Sequence, residues 1–307
     1  MNLLHLKYAV EVAKAGSINK AAEALLIAQP NLSRAIKELE ADLGITIFER
    51  TARGMILTPD GGEFLNYARS ILQQIDSVEK MYKGEMRAKR RFSISVPRAT
   101  YIADAFTSFS KRLPREPLEI YYKETNALRA LKNIVYEDYK LGIVRYAEDY
   151  DKYYQSLFEE KGLVSELITE FRYVLIMNRL SPLGALPEIR YKDLENYVEI
   201  AHADPYVPFL SLSQVKKEEL PDNVNRRIFV FERGSQFDLL AENTELFMWV
   251  SPLPPKIIER YGLLQRECPD NRKIYKDVLV YKQDYKLSEL DKSFITEVCR
   301  SKRSLQL

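Results

Sequence analysis

Residues 17–61 read SINKAAEALLIAQPNLSRAIKELEADLGITIFERTARGMILTPDG, and this stretch decides how the rest of the chain is understood. It parses as two short helices joined by a tight turn, then a β-wing and the start of a longer helix. The hydroxyl of Ser17 is placed to cap the first helix by accepting a first-turn N–H. Ala21, Ala22 and Leu25 recur on one face of that helix. The second helix starts near Pro30, whose fixed φ and missing N–H cost nothing in a first turn. Along it Leu32, Ala35, Ile36 and Leu39 share one face, while Ser33, Arg34 and Lys37 share the other. Small alanines let the two helices cross closely, as a helix-turn-helix requires. A face of short polar and cationic side chains suits a helix lying in a DNA major groove, with reach to base edges and charge for phosphates. An ordinary helical hairpin with a solvated face would give the same pattern.

Working outward, residues 3–15 form a first helix with Leu3, Leu6, Val10 and Ala13 as its buried stripe, closed by Gly16. Beyond Gly44, residues 45–48 and 55–57 read as the two strands of a wing, with Arg50 and Arg53 between them. Thr58-Pro59-Asp60 is a strong helix start: a capping hydroxyl, a proline at the first position and an acid facing the dipole. This helix is expected to run to about residue 86. Phe64, Ala68, Ile71, Ile75, Val78 and Tyr82 step along it by four and three, which is a heptad seam. Left alone, such a seam would face water, so it reads as a dimerisation surface. Gly84 and the basic run RAKRR at 87–91 then read as a hinge.

The stretch SINKAAEALLIAQPNLSRAIKELEADLG, the IFERTARGMILT wing and the long helix after them resemble the N-terminal domain of the LysR-type transcriptional regulators. The resemblance is dense over residues 1–65 and looser beyond. It implies a winged helix-turn-helix that contacts double-stranded promoter DNA through Gln29, Pro30, Asn31, Ser33, Arg34 and Lys37, with Arg50 and Arg53 on the wing. Two positions depart from the family pattern: Tyr8 stands where Phe is usual, and Ala28 where Ser usually precedes Gln-Pro. The second removes a cap or phosphate contact.

The 307 residues suffice for two or three domains, and 46% hydrophobic with 29% charged residues fits a soluble protein with real cores. Net charge is only +2, so the molecule does not coat DNA by charge alone. Residues 1–90 hold 13 Lys+Arg against 11 Asp+Glu, which places that excess in the N-terminal part. Cys268 and Cys299 lack a metal-ligand spacing and read as reduced thiols. The first 16 residues lack the basic start and apolar core of a secretion signal, and no apolar run reaches the ~20 residues of a membrane helix. A cytoplasmic location is therefore expected.

From residue 92 strands alternate with helices, which argues for parallel α/β sheets. Strands are expected at 92–96, 118–122, 141–146, 172–178, 197–202, 227–231, 246–250 and 275–281. Helices are expected at 101–113, 127–136, 212–220, 236–242, 256–261 and 288–300. The order is similar to the family's effector-binding domain, with the fold of periplasmic solute-binding proteins. That likeness implies two α/β lobes about a cleft, with chain crossings near 162–166 and 266–268. The Tyr-rich segment 147–162 is longer than the family's usual connection and reads as a helix at the cleft rim or at a subunit contact.

GxSxG, HExxH, GxGxxG and P-loop signatures are all missing, and only His5 and His202 could serve catalysis, so no enzyme, cofactor or metal is expected. Ligands of open α/β sheets collect beyond the carboxyl ends of strands, where helix N-termini present N–H groups. Those ends bring forward Arg98, Ala99 and Thr100, then Thr125 and Asn126, then His202 and Glu232. The resemblance puts an effector at the same positions. With Arg98 offering a planar fork for a carboxylate, an anionic metabolite is expected.

The chain thus divides into a DNA-binding domain at 1–58, a linker and dimerisation helix with hinge at 59–90, and an effector-binding domain at 91–307. Lobe I takes 91–163 and 267–307, and lobe II takes 164–266. A homodimer built on Phe64, Ala68, Ile71, Ile75 and Val78 is expected, pairing further into a homotetramer. The competing reading is an α/β enzyme or stand-alone solute-binding module with a helical extension. Turnover of a substrate, or failure to bind DNA at any salt, would favour it.

Overall fold

A computed structural model describes residues 2–51, 54–82, 90–210, 214 and 224–305. The chain forms two compact units, Met1–Lys89 with Tyr136–Asp138, and Arg90–Val135 with Tyr139–Leu307.

In the first unit α1 (Leu3–Ala15), α2 (Ile18–Ala24) and α3 (Gln29–Leu43) precede a two-stranded wing, β1 (Phe48–Thr51) and β2 (Gly54–Leu57), and then α4 (Pro59–Tyr82). Asn2 caps α1 by accepting the Leu4 N–H at 2.9 Å. Gly16 ends it in the left-handed conformation, φ 63°. Helix α1 buries Leu6, Ala9 and Val12 while Leu3 is exposed and Val10 and Ala13 are half-buried, so the stripe sits one step round from the expected one. The flanking helices cover a sector that sequence spacing alone does not select. Ser17 occupies the N-cap of α2, but its side chain makes no capping bond.

The turn into α3 is made by Leu26 at φ 55°, a left-handed conformation that costs a side-chain-bearing residue about 1 kcal/mol or more. Helix α3 buries Leu32, Ala35, Ile36 and Leu39, the four residues its period predicts. Each fully buried Leu or Ile contributes roughly 1.5–3 kcal/mol.

The wing begins later than the sequence suggests. Ile47 is fully buried, and the Glu40 carboxylate accepts the N–H groups of Ile47 at 2.7 Å and Phe48 at 3.1 Å. Residues 45–47 therefore form a packed connector bonded to a side chain rather than a ladder strand. Thr58 caps α4 as expected, its hydroxyl accepting the Gly61 N–H at 2.9 Å. A side chain at Gly61 is impossible without movement, since its Cβ would lie 2.1 Å from the Ile47 carbonyl oxygen.

Helix α4 corrects part of the seam. Leu65 and Ala68 are fully buried in the first unit's own core, with Phe64, Ile71 and Leu72 packed against it. Ala68 is thus unavailable to a second copy. Ile75 is half-buried and Val78 exposed, so the far half of the helix remains open. The seam position at 82 keeps only its backbone in the description. Its expected extension to residue 86, Gly84 of the hinge and Arg53 of the wing lie outside the described residues. Arg90 and Arg91, placed in the hinge by sequence, open the first strand of the next unit.

The second unit contains two five-stranded sheets, ordered β4-β3-β5-β12-β6 and β11-β7-β10-β8-β9. The first lobe runs β3 (Arg90–Val96), α5 (Thr100–Ser110), β4 (Leu118–Glu124), α6 (Ala127–Tyr136), β5 (Leu141–Ala147), α7 (Asp151–Glu160) and β6 (Leu163–Arg172). The second holds β7 (Val174–Asn178), β8 (Val198–His202), β9 (Arg227–Val230), α8 (Gly234–Glu242), β10 (Leu246–Val250), α9 (Pro255–Arg260) and β11 (Leu263–Arg266). The chain then returns to the first sheet as β12 (Ile274–Lys282) and ends in α10 (Glu289–Arg303). Strand β12 pairs antiparallel with both β5 and β6, and β7 antiparallel with β10 and β11. The sheets are therefore mixed, and parallel only about β3 and β8.

Strand β6 also moves the first crossing. Residues 163–172 pair along their length with β12 in the first sheet, so the chain leaves that lobe at 172–174 rather than 162–166. The helix expected at 212–220 lies largely outside the described residues. Among the described residues no helix is long and apolar enough to cross a membrane.

Candidate DNA-binding face and ligand cleft

Helix α3 is held on three sides by its own buried stripe, by α1 and α2 beneath it, and by Glu40 tying its last turns to the wing connector. Its opposite face carries Pro30, Asn31, Arg34 and Lys37, all exposed, with Gln29 and Ser33 half-buried beside them. The helix opens at Ala28 with no side-chain cap, so only that residue's carbonyl, which accepts the Asn31 N–H at 3.0 Å, serves the first turn. Arg50 lies within β1, its backbone opposite Met55, rather than at a free tip. One rigid surface thus presents amide, hydroxyl, guanidinium and ammonium groups with almost no apolar area. Glu40, which positions the wing, has no marker in the sequence beyond being one more helical acid.

In the second unit the carboxyl ends of β3, β4, β5 and β8 converge on a cavity of about 150 Å³. Arg98, Thr125, Asn126 and His202, four of the expected residues, line it. The other three do not. Ala99 and Thr100 are buried where α5 begins, and Glu232 is exposed at the surface. Strand-end position is shared by all seven, but only the residues whose side chains lean inward reach the cavity.

Asn126 works at both ends: its Oδ1 accepts the Arg129 N–H at 3.0 Å, and its Nδ2 donates to the Asp204 carbonyl at 3.1 Å. Arg98 is also turned inward, and its guanidinium meets the Asp204 carboxylate at 2.8 Å. Since Arg98 follows β3 and Asp204 follows β8, this pair joins the lobes. Two further pairs do the same, Glu124 with Arg233 at 2.9 Å and Asp104 with Lys256 at 2.6 Å.

Sequence reasoning missed most of the floor. Arg145, within β5, makes a two-pronged bond to the fully buried Asp277, at 2.8 Å from Nε and 2.6 Å from Nη2. Tyr101 donates to the same carboxylate at 2.6 Å. Burial alone would lower the Arg145 pKa, and Asp277 more than reverses this. Burial and then the Asp277 charge hold the Tyr101 phenol well above its ordinary value. Arg145 also lies over the Phe171 ring at 4.7 Å.

Tyrosines complete the walls. The segment 147–162 is a helix, α7, with Tyr154 and Phe158 buried in the first lobe's core. Tyr154 stacks on Tyr146 at 4.2 Å, and Tyr150 and Tyr206 line the same cavity. Burial, then the Arg98 charge, push His202 down to about 4, so it is neutral near pH 7. Each of the two arginines lining the cleft already holds a carboxylate, which removes the argument for an anionic ligand that rested on a free Arg98 fork. Among the described residues no cluster of His, Cys, Asp and Glu could hold a metal ion.

Residues 3–62 match the family described as bacterial regulatory helix-turn-helix proteins, lysR family. Among curated relatives, the uncharacterized HTH-type transcriptional regulator YcgK of Bacillus subtilis (strain 168) is 33% identical over 135 residues, 43% of this chain and 42% of that protein. The chain thus spans less than half the length of this relative. Two solved structures share the fold over nearly the whole chain. Full-length LysG from Corynebacterium glutamicum with bound effector Arg has a TM-score of 0.58 at 14% identity, over 98% of both chains. Full-length CbnR in complex with its target DNA has a TM-score of 0.56 at 18% identity, over 98% of this chain and all of that one.

Proposed function

From the premise that this chain belongs to the LysR family, whose helix-turn-helix occupies residues 3–62, we propose that it is a transcriptional regulator controlled by a small molecule. It binds promoter DNA sequence-specifically and takes its effector between the two α/β lobes. The observation that carries the reading is helix α3, which buries Leu32, Ala35, Ile36 and Leu39 and turns Asn31, Arg34 and Lys37 outward. A folded surface built that way has reach and charge for a major groove, and its exposed side chains at 31, 34 and 37 are all polar or cationic. Regulation rather than turnover is its task, in the cytoplasm.

The layout follows the three parts read from the sequence: DNA binding over 1–58, a linker helix with hinge over 59–90, and effector binding over 91–307. The lobe boundary moves to 172–174, where the chain changes sheet. Dimerisation runs through the open half of α4, where Ile75 and Val78 retain exposure. Effector domains pair the dimers into a tetramer.

A selection of random DNA duplexes against the full-length protein tests the reading. Enrichment of a two-part, pseudo-palindromic site is expected. Arg34→Ala should then cost about 1–3 kcal/mol in affinity for that site if it reads a base, or flatten the salt dependence if it binds phosphate. Failure to enrich any sequence, with affinity unchanged in Arg34→Ala, would refute it.

A further inference from the structure

Among the described residues two buried side-chain atoms around the cleft have no hydrogen-bond partner, the Tyr154 hydroxyl and His202 Nδ1, and a third cleft atom, Asp204 Oδ1, has only Arg98 Nη1 at 2.8 Å. All three residues line the one cavity. Buried polar groups are almost always satisfied, so two in one small space, beside a carboxylate with acceptor capacity left, mark the place of an absent partner. Asp204 Oδ1 can only accept, a neutral imidazole accepts at one ring nitrogen, and a phenol does either. What is missing is a donor-rich group.

Charge narrows the partner further. Arg98 is balanced by Asp204 and Arg145 by Asp277. A simple anion would have to take Arg98 from Asp204 and leave that half-buried carboxylate without its counter-charge. A simple cation would add a positive charge beside two buried guanidinium groups. A molecule carrying both charges disturbs neither balance, since its ammonium serves Asp204 while its carboxylate shares Arg98.

We propose that the effector is a small zwitterion, an α-amino acid, which bridges the lobes by giving its ammonium to Asp204 and His202 and its carboxylate to Arg98. The inference rests on the effector-cleft reading above and names the chemistry of that site. Arg98 belongs to the first lobe and Asp204 to the second, so one head group touches both. The whole cavity, about 150 Å³, is the size that accepts a benzene ring in a protein core, which favours an amino acid with a small side chain. The half-buried Tyr150 and Tyr206 line it and offer ring surface to that side chain. The Tyr154 hydroxyl supplies one polar contact beside it.

The test is a calorimetric titration of the full-length protein with the common L-α-amino acids, each alongside its decarboxylated amine and its deaminated acid. L-Valine, isobutylamine and 3-methylbutanoate form one such set. At least one amino acid should bind about tenfold or more tightly than both of its partial analogues. In Asp204→Asn its advantage over the deaminated acid should vanish. Tyr154→Phe loses only an unsatisfied hydroxyl, so it should stay folded and bind the same amino acid more weakly. If no amino acid binds, or if an amine or acid binds as tightly as its zwitterion, the proposal is overturned. Binding in the cleft by singly charged or neutral molecules that alters DNA affinity would overturn the zwitterion alone. Cleft binding with no effect on DNA would overturn the regulatory reading instead.

Discussion

Replacing Asp277 by Ala should be the most damaging single change near the cleft. Its carboxylate is fully buried and accepts three hydrogen bonds, from Tyr101 and from Nε and Nη2 of Arg145. The change leaves the Arg145 guanidinium, itself only 10% exposed, without its counter-charge. Removing one partner of such a pair costs about 3–5 kcal/mol, because the other charge stays buried. The orphaned Tyr101 hydroxyl adds to this, at roughly 1–2 kcal/mol. For a domain of this size each kcal/mol moves the melting temperature by about 2–4 °C, so a drop on the order of 10 °C is expected for the second unit. Tyr101→Phe serves as the internal control. It loses one bond but keeps the ion pair, and should cost only about 1–1.5 kcal/mol. Differential scanning calorimetry of the full-length variants reads both. If Asp277→Ala destabilises no more than Tyr101→Phe, Arg145 is not held by this carboxylate and the description of the cleft floor fails.

Other expectations follow from single contacts. Glu40→Ala should lower the stability of the first unit by about 1.5–3 kcal/mol, since two N–H groups lose a charged acceptor; urea denaturation reads it, and DNA affinity should fall with the wing freed. Ile75→Asp should weaken self-association and, with it, binding to paired half-sites, as sedimentation velocity would show; an unchanged dimer would place the interface elsewhere. His202 titrates near 4 when folded against about 6.5 when unfolded. Its folded pKa is depressed, so the unfolded chain binds the extra proton between those values. The stability it contributes is full above pH 6.5 and is lost as pH falls towards 4, by up to about 3 kcal/mol. Arg98, Arg145 and Asp204 face the same ring, so the wild-type slope should be compared with that of His202→Gln; equal slopes would contradict the assignment.

Local signals carried the first unit far. Gly16, Gly44 and Thr58-Pro59 mark helix ends by their own backbone chemistry, and the structure ends its helices there. The buried stripe of α3 was legible because all four residues repeat at helical spacing. Which body covers an apolar seam is not a local property. Ala68 sits on a heptad, yet the first unit's own core takes it. Strand β6 was obscured in a similar way. LVSELITEFR runs in apolar and polar pairs rather than alternating, so it lacks the period-2 signal of a strand.

In the cleft, Arg98, Thr125, Asn126 and His202 were legible because strand ends are where parallel sheets gather ligands. Arg145 and Asp277 were not, as 132 residues separate two partners that meet only through an antiparallel β5–β12 ladder. Asp204 was missed for the complementary reason: a loop carboxylate shows nothing in sequence until its partner is placed beside it.

The central claim is that occupancy of the cleft is read out on DNA. A fluorescence-anisotropy titration of a selected duplex with the full-length protein, run with and without a saturating cleft ligand, tests it most directly. The account predicts a coupling of about 1–3 kcal/mol, a roughly 5–150-fold change in DNA affinity, abolished in Asp204→Asn. Saturation of the cleft with an unchanged DNA binding curve would contradict it.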